Sequence, residues 1–219
     1  MRTLKVTGTG RLSIEPDLIV ITVGINSVDP DYEKAMETSG AKLNSLKTAL
    51  AGVGFGEKAL KTADFRVDTE NESICDENGR YRTVFAGYRV YHGLRLEFDF
   101  DSERLAAALS AIAGCMSEPN LGISFTVKDR EGVYETLLEN AARNARRKAE
   151  VLAEASGVVL GALVGIEYNR SDIPLVSPST FGMADNCLKR SMAAGIEINP
   201  DDIKVSDSAV FVWEISDLM

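Results

Sequence analysis

The chain has 219 residues, 45% of them apolar and 26% charged, and its formal net charge is −9. That length buries a real core, and the composition excludes global disorder. The acidic balance argues against a nucleic-acid backbone or an anionic membrane surface as partner.

No stretch approaches the ~20 apolar residues needed to cross a bilayer, so no transmembrane segment is expected. The start, Met1-Arg2-Thr3-Leu4-Lys5, runs directly into an alternating pattern without an apolar signal region. As written, this places the chain in the cytoplasm, with the periplasm or cell envelope as the alternative if an export signal was removed. Cys75, Cys115 and Cys187 are odd in number and widely spaced. Neither a disulfide framework nor a zinc site follows from them, and free thiols suit a reducing compartment.

Residues 3–14 alternate, with Leu4, Val6, Leu12 and Ile14 sharing a face with Gly8 and Gly10. Inward glycines point to a bulge or the close approach of another backbone. After a turn at Glu15-Pro16-Asp17, residues 18–28 read as a β-branched strand, and the two strands are expected to form a hairpin. Asp29 is the expected N-cap of a helix with Pro30 at its first position and a stripe of Met36, Leu43, Leu46 and Leu50. Glycines at 52, 54 and 56 end it.

Residues 60–75 and 80–100 predict a long hairpin with Asn78-Gly79 at its tip and a bulge or bend near Gly87 or Gly93. Asp101-Ser102 caps a short helix bearing Leu105, Leu109 and Ile112, and Leu121, Ile123, Phe125 and Val127 alternate as a strand. Asp129 caps the clearest helix, about 130–156, whose stripe is Tyr134, Leu138, Ala141, Ala145, Ala149 and Leu152. Residues 158–168 are strand-like. The 169–202 segment has no sustained period and reads as a long loop or insertion suited to assembly. Residues 203–215 form a last strand, apolar on both faces and so expected to be central and covered on both sides. Strand pairs outnumber βαβ units. The fold class is α+β: a mixed, largely antiparallel sheet of seven or eight strands with about three helices packed on it, in a single domain spanning 1–219 or in two lobes.

No motif supplies chemistry. His92 is the sole histidine and lies in phase with an apolar strand face, without a triad partner at any telling spacing. Gly8-Thr9-Gly10 fails as a dinucleotide loop because Ser13 holds the third glycine position, and Gly52-Val53-Gly54-Phe55-Gly56 fails because it follows a helix. Asp29, Asp31 and Glu33 imitate a calcium loop, but Lys34 and Gly40 stand where glycine and glutamate are required. Asp201-Asp202 reads as a turn. No residue is assigned a catalytic, cofactor-binding or metal role, and no cofactor is expected. The exposed hairpin tip (70–82) and the 169–202 segment are the expected partner surfaces.

In order along the chain, Val6-Thr7-Gly8-Thr9-Gly10, Ile14-Glu15-Pro16-Asp17 and the strand to Gly24-Ile25 resemble the start of the SIMPL domain family. The resemblance continues through Gly87-Tyr88-Arg89-Val90, the alanine-rich helix from Ala141 to Ala155, Gly157-Val158-Val159-Leu160-Gly161 and the strand around Val205 to Trp213. It implies a bacterial α+β domain without an established enzymatic activity, mostly periplasmic or envelope-bound. Some members are linked to oxidative stress, some are immunogenic and some form large homo-oligomers. The leading expectation is a non-enzymatic homo-oligomer. The alternatives are a ligand-binding protein or enzyme with a dispersed site, and a thiol-based stress protein.

Overall fold

The computed structural model describes residues 2–75, 79, 81–115, 120–179, 181–182 and 198–217, the pair 181–182 as backbone. Its elements are β1 (Arg2–Ile14), β2 (Leu18–Asp29), α1 (Tyr32–Gly52), β3 (Leu60–Cys75), β4 (Tyr81–Asp99), α2 (Ser102–Cys115), β5 (Asn120–Thr126), α3 (Arg130–Ala155), β6 (Val158–Glu167), β7 (Phe181–Gly182) and β8 (Ile203–Asp217). They form an α+β fold with two sheets instead of one, ordered β1-β8-β6 and β3-β4-β2-β5-β7. Every pairing with a described register is antiparallel. The chain divides into two compact units. The first holds residues 1–17, 126–178 and 200–219, and the second holds 18–125 and 179–199.

The second unit is a β-α-β-β-α-β arrangement, in which β4 lies between β2 and β3 and each helix spans a crossover. Ile19, Ile21, Val23 and Ile25 of β2 and Leu94, Leu96 and Phe98 of β4 pack with α1 through Leu46 and Leu50 and with α2 through Leu105, Leu109 and Ile112. The β3–β4 hairpin forms as expected; Asn78 of its tip lies outside the described residues. Its two register shifts fall where the glycines announced them. One sits opposite Gly93, between Thr62 and Asp64; the other lies beside Gly87. Gly87 has φ of 153°, and a Cβ there would stand 2.6 Å from the carbonyl oxygen of Asp29.

The cap of α1 is Asp31, not Asp29: the Lys34 amide donates to Asp31 Oδ1 at 3.2 Å, while Asp29 Oδ1 accepts from the Asp31 amide at 2.8 Å. The chain therefore makes one more local turn, through Pro30, before the helix begins.

The first unit overturns the expected β1–β2 hairpin. β1 pairs with β8 along its whole length, from Arg2 opposite Ile215 to Ile14 opposite Ile203, and β2 pairs with β4. The turn at Pro16 passes the chain from one sheet to the other. α3 covers one face of β1-β8-β6. Its buried row is Val133, Leu137, Ala141, Ala145, Ala149 and Ala153, together with Tyr134; Leu152 is exposed. This corrects the stripe by one residue at Leu138 and at Leu152. β8 is central as expected, but only one face is fully buried: Lys204, Ser206 and Ser208 are exposed and Val210 and Val212 half-buried.

The two glycines of β1 answer to α3. A Cβ on Gly8 would stand 2.1 Å from the Ala141 carbonyl oxygen, and one on Gly10 would stand 1.9 Å from that of Leu137. Helix backbone thus rests directly on strand backbone, with alanine completing the seam.

Candidate functional site

Among the described residues, Asp207 is the one buried charged side chain. It points inward from β8 between Val205 and Ala209, opposite Gly10. Tyr168, just past β6, donates its hydroxyl to Asp207 Oδ2 at 2.9 Å, and the Ser208 amide donates to Oδ1 at 2.8 Å. Burial first, and the bond to Asp207 second, push the Tyr168 phenol above its usual range.

The chain after Tyr168 is then tied down residue by residue. Arg170 stacks 4.3 Å from the Tyr134 ring centroid and pairs with Glu131 at 2.9 Å. Tyr134 donates to the Ile173 carbonyl at 3.1 Å, and Thr126 donates to that of Leu175. Leu175 is fully buried among Val127, Val133, Leu137, Ile203 and Val205. Ser177 Oγ donates to the Asp201 carbonyl at 2.6 Å. Chemically this network is an anchor, because each polar group is consumed in holding residues 168–178 on the core. The pattern 203, 205, 209, 211 contained the signal, since 207 falls in the same phase and carries a carboxylate.

The residues weighed from the sequence fall into separate places. His92 Nε2 shares a hydrogen bond with Thr62 Oγ1 at 2.8 Å, and its ring meets Phe65 edge-on. Burial, reinforced by nearby Lys47, lowers its pKa. Cys75 is exposed, Cys115 is half-buried and donates to the Ile112 carbonyl at 3.4 Å, and Cys187 lies outside the described residues. Burial pushes the Cys115 thiol up, away from the reactive thiolate. Asp202 accepts from Ser13 Oγ at 2.8 Å. No cluster of three or more potential metal ligands forms among the described residues.

Two shallow hollows open on the first unit. One of about 410 Å³ lies over Arg11 to Ser13 and Lys204 to Ser206; the other, of about 450 Å³, lies beside Asp17 and Asp129. Both carboxylates of the second already accept backbone amides, from Lys128 at 2.8 Å and Gly132 at 2.9 Å.

The edges of the β1-β8-β6 sheet differ sharply. Along β1, three α3 side chains one turn apart reach the outward backbone groups. Asn140 donates to the Arg11 carbonyl at 3.5 Å, Asn144 Oδ1 accepts from the Thr9 amide at 3.0 Å, and Lys148 donates to the Thr7 carbonyl at 2.9 Å. The middle of that edge, from Thr7 to Arg11, is thereby covered. The other edge is β6, whose strand partner is β8. Val159, Leu163, Val164 and Ile166 are exposed there at 47, 47, 51 and 56%. Glu167, the one charge of β6, is held by Lys5 at 3.0 Å. Two bulges in β6 bring Leu160, Leu163 and Ile166 opposite Ile215, Trp213 and Phe211, so three residues spaced by three share a face.

Residues 4–213 match the SIMPL family, described as a protein of unknown function (DUF541). The chain belongs to this family. Among its relatives are the 26 kDa periplasmic immunogenic proteins of Brucella melitensis biotype 1 and Brucella abortus strain S19. Each is 23% identical over 97% of this chain and 84% of the relative. No helix among the described residues is long and apolar enough to cross a membrane.

Proposed function

We propose that this SIMPL protein is a non-enzymatic component of the bacterial envelope that works by associating with copies of itself through the open edge of β6. The observation that carries the reading is the asymmetry of the β1-β8-β6 sheet. An apolar edge strand of ten residues, without lysine or proline and with a single charge at its end, is a template for another chain. With Asn140, Asn144 and Lys148 already engaging backbone groups of Thr7, Thr9 and Arg11, the β1 edge is a poor acceptor for head-to-tail growth of this sheet. What remains is β6 against β6 around a two-fold axis, a contact that closes on itself. Antiparallel self-pairing about Ala162-Leu163 sets Gly161 against Val164 and Gly165 against Leu160, small against large, and no like charges meet. The two bulges shorten any regular ladder, so the apolar side chains supply most of the contact. The envelope location rests on the relatives' periplasmic names. The raised pKa of Cys115 counts against a thiolate mechanism at that residue.

Light scattering coupled to gel filtration, at micromolar concentration, tests this. The parent is expected to run as a dimer or larger, and Leu163→Lys with Ile166→Lys to reduce its mass while leaving the circular dichroism unchanged. A parent that stays strictly monomeric refutes the proposal.

A further inference from the structure

Three consecutive cross-strand pairs, Arg11–Ser206, Leu12–Val205 and Ser13–Lys204, form the floor of the hollow of about 410 Å³ on the first unit. Leu12 and Val205 turn inward onto the core of Val133 and Leu137. The pleat therefore sends the other four side chains outward, and all four are exposed. They stand at the corners of a rectangle, ~5 Å across the strands and ~7 Å along them. Arg11 and Lys204 hold one diagonal, with about 7–8 Å between their Cβ atoms, and Ser13 and Ser206 hold the other.

Charge is treated differently at the two ends of this sheet. At the far end Arg2 pairs with Asp217, and Lys5 pairs with Glu167 at 3.0 Å. Arg11 and Lys204 hold no carboxylate among the described residues, although the chain as a whole carries −9. Asp202, two residues before Lys204, is turned to Ser13 and accepts from its Oγ at 2.8 Å. Ser206 Oγ has no hydrogen-bond partner among the described residues. Two like charges on neighbouring positions of a strand pair repel each other, and an anion seated between them removes that cost.

We infer that this rectangle binds a phosphate monoester. Both cations are long enough to reach its centre from their corners. A phosphate brings a charge of about −1.5 to −2 and three oxygens that point in different directions. One edge of it takes the Arg11 fork, another oxygen takes the Lys204 ammonium, and a third takes the Ser206 hydroxyl between them. A carboxylate has two coplanar oxygens and satisfies one corner of the diagonal, not both. The hollow's volume falls within the ~300–1,000 Å³ of small-molecule sites. The net charge of the chain repels an extended anionic surface, so the source of the phosphate is a small soluble molecule. The site belongs to β1 and β8 alone, since β6 joins β8 only from Val210 onward, and it does not depend on association through β6.

The probe is inorganic phosphate, observed by phosphorus-31 nuclear magnetic resonance with the full chain at constant ionic strength, at about pH 7.5 where the dianion prevails. The site is shallow and its cations are solvated, so the line is expected to broaden and shift saturably over about 1–10 mM. Arg11→Gln with Lys204→Gln is expected to abolish that response while circular dichroism stays unchanged. Lys204→Gln alone is expected to weaken it by roughly threefold, and Lys5→Gln to leave it as in the parent. A parent that leaves the line unchanged through that range overturns the site, as does a double variant that responds like the parent. Sedimentation with vesicles of phosphatidic acid in phosphatidylcholine separates the sources. The parent is expected to stay in the supernatant; a parent that sediments while the double variant does not overturns the soluble source and assigns the phosphate to a lipid headgroup.

Discussion

Gly10→Ala is the sharpest perturbation the fold offers. The added methyl would stand 1.9 Å from the Leu137 carbonyl oxygen and 2.8 Å from its carbon, both backbone atoms that cannot rotate aside. Restoring even 3.0 Å to the oxygen moves α3 or β1 by at least 1.1 Å. A shift of that size opens the packing of Leu137, Ala141 and Ala145 on the sheet. It also stretches the Asn144 and Lys148 bonds to Thr9 and Thr7, now 3.0 and 2.9 Å, beyond bonding range. Overpacking costs about 1–3 kcal/mol, and each lost hydrogen bond about 1, so the variant should lose on the order of 3–5 kcal/mol. That is a large part of the ~5–15 kcal/mol available to a domain. Urea unfolding followed by far-ultraviolet circular dichroism measures it, with Gly40→Ala as the control. Gly40 lies inside α1 with nothing within 4 Å of a new methyl, and there alanine should stabilise by about 0.5–1 kcal/mol. A Gly10→Ala protein within 0.5 kcal/mol of the parent, by about the usual resolution of such data, would refute the backbone-on-backbone seam.

Two further outcomes follow from the second unit. Ser39, buried on α1 with no hydrogen-bond partner for its hydroxyl, should yield a more stable protein as Ser39→Ala, by about 0.5–2 kcal/mol in thermal unfolding, because an orphaned polar group disappears and helix propensity rises. The single histidine gives an unambiguous nuclear magnetic resonance titration, and His92 should titrate below its usual value of about 6.5. Since the unfolded chain then takes up the proton first, this group's contribution to stability is full above that pH. It declines as the pH falls from there toward the folded pKa. A midpoint at or above 6.5 would contradict the half-buried placement beside Lys47.

Elements with local grammar could be read from the sequence. Asp129 and Gly157 bracket α3, the i,i+4 pairs Glu139–Arg143 and Arg146–Glu150 form on its wet face, and Gly87 and Gly93 mark irregular pairing. What failed was partner choice. The alternation of β1 says that it is a strand, but its partner β8 lies about 200 residues away, and nothing within residues 2–28 distinguishes that pairing from a hairpin with β2. Leu137 and Leu138 are adjacent apolar residues on a helix otherwise lined with alanine, so the phase of the stripe was undecided until the glycine floor of β1 fixed it. The polar anchor was hidden for a related reason. Asp207 looks like a solvated charge until Tyr168, 39 positions earlier, is placed against it.

The threading of the chain also sets a timetable. Unit one is made from both ends of the sequence, with residues 18–125 of unit two between them. Its middle strand, β8, follows every other described element in the chain, so β1 meets its strand partner only after Ile203 to Asp217 have been made. Pairing over that separation is slow to find. A chain arranged in this way keeps a long interval in which its first strand is unpaired. A protein carried across a membrane before folding can use that interval, and one folding as it emerges must survive it.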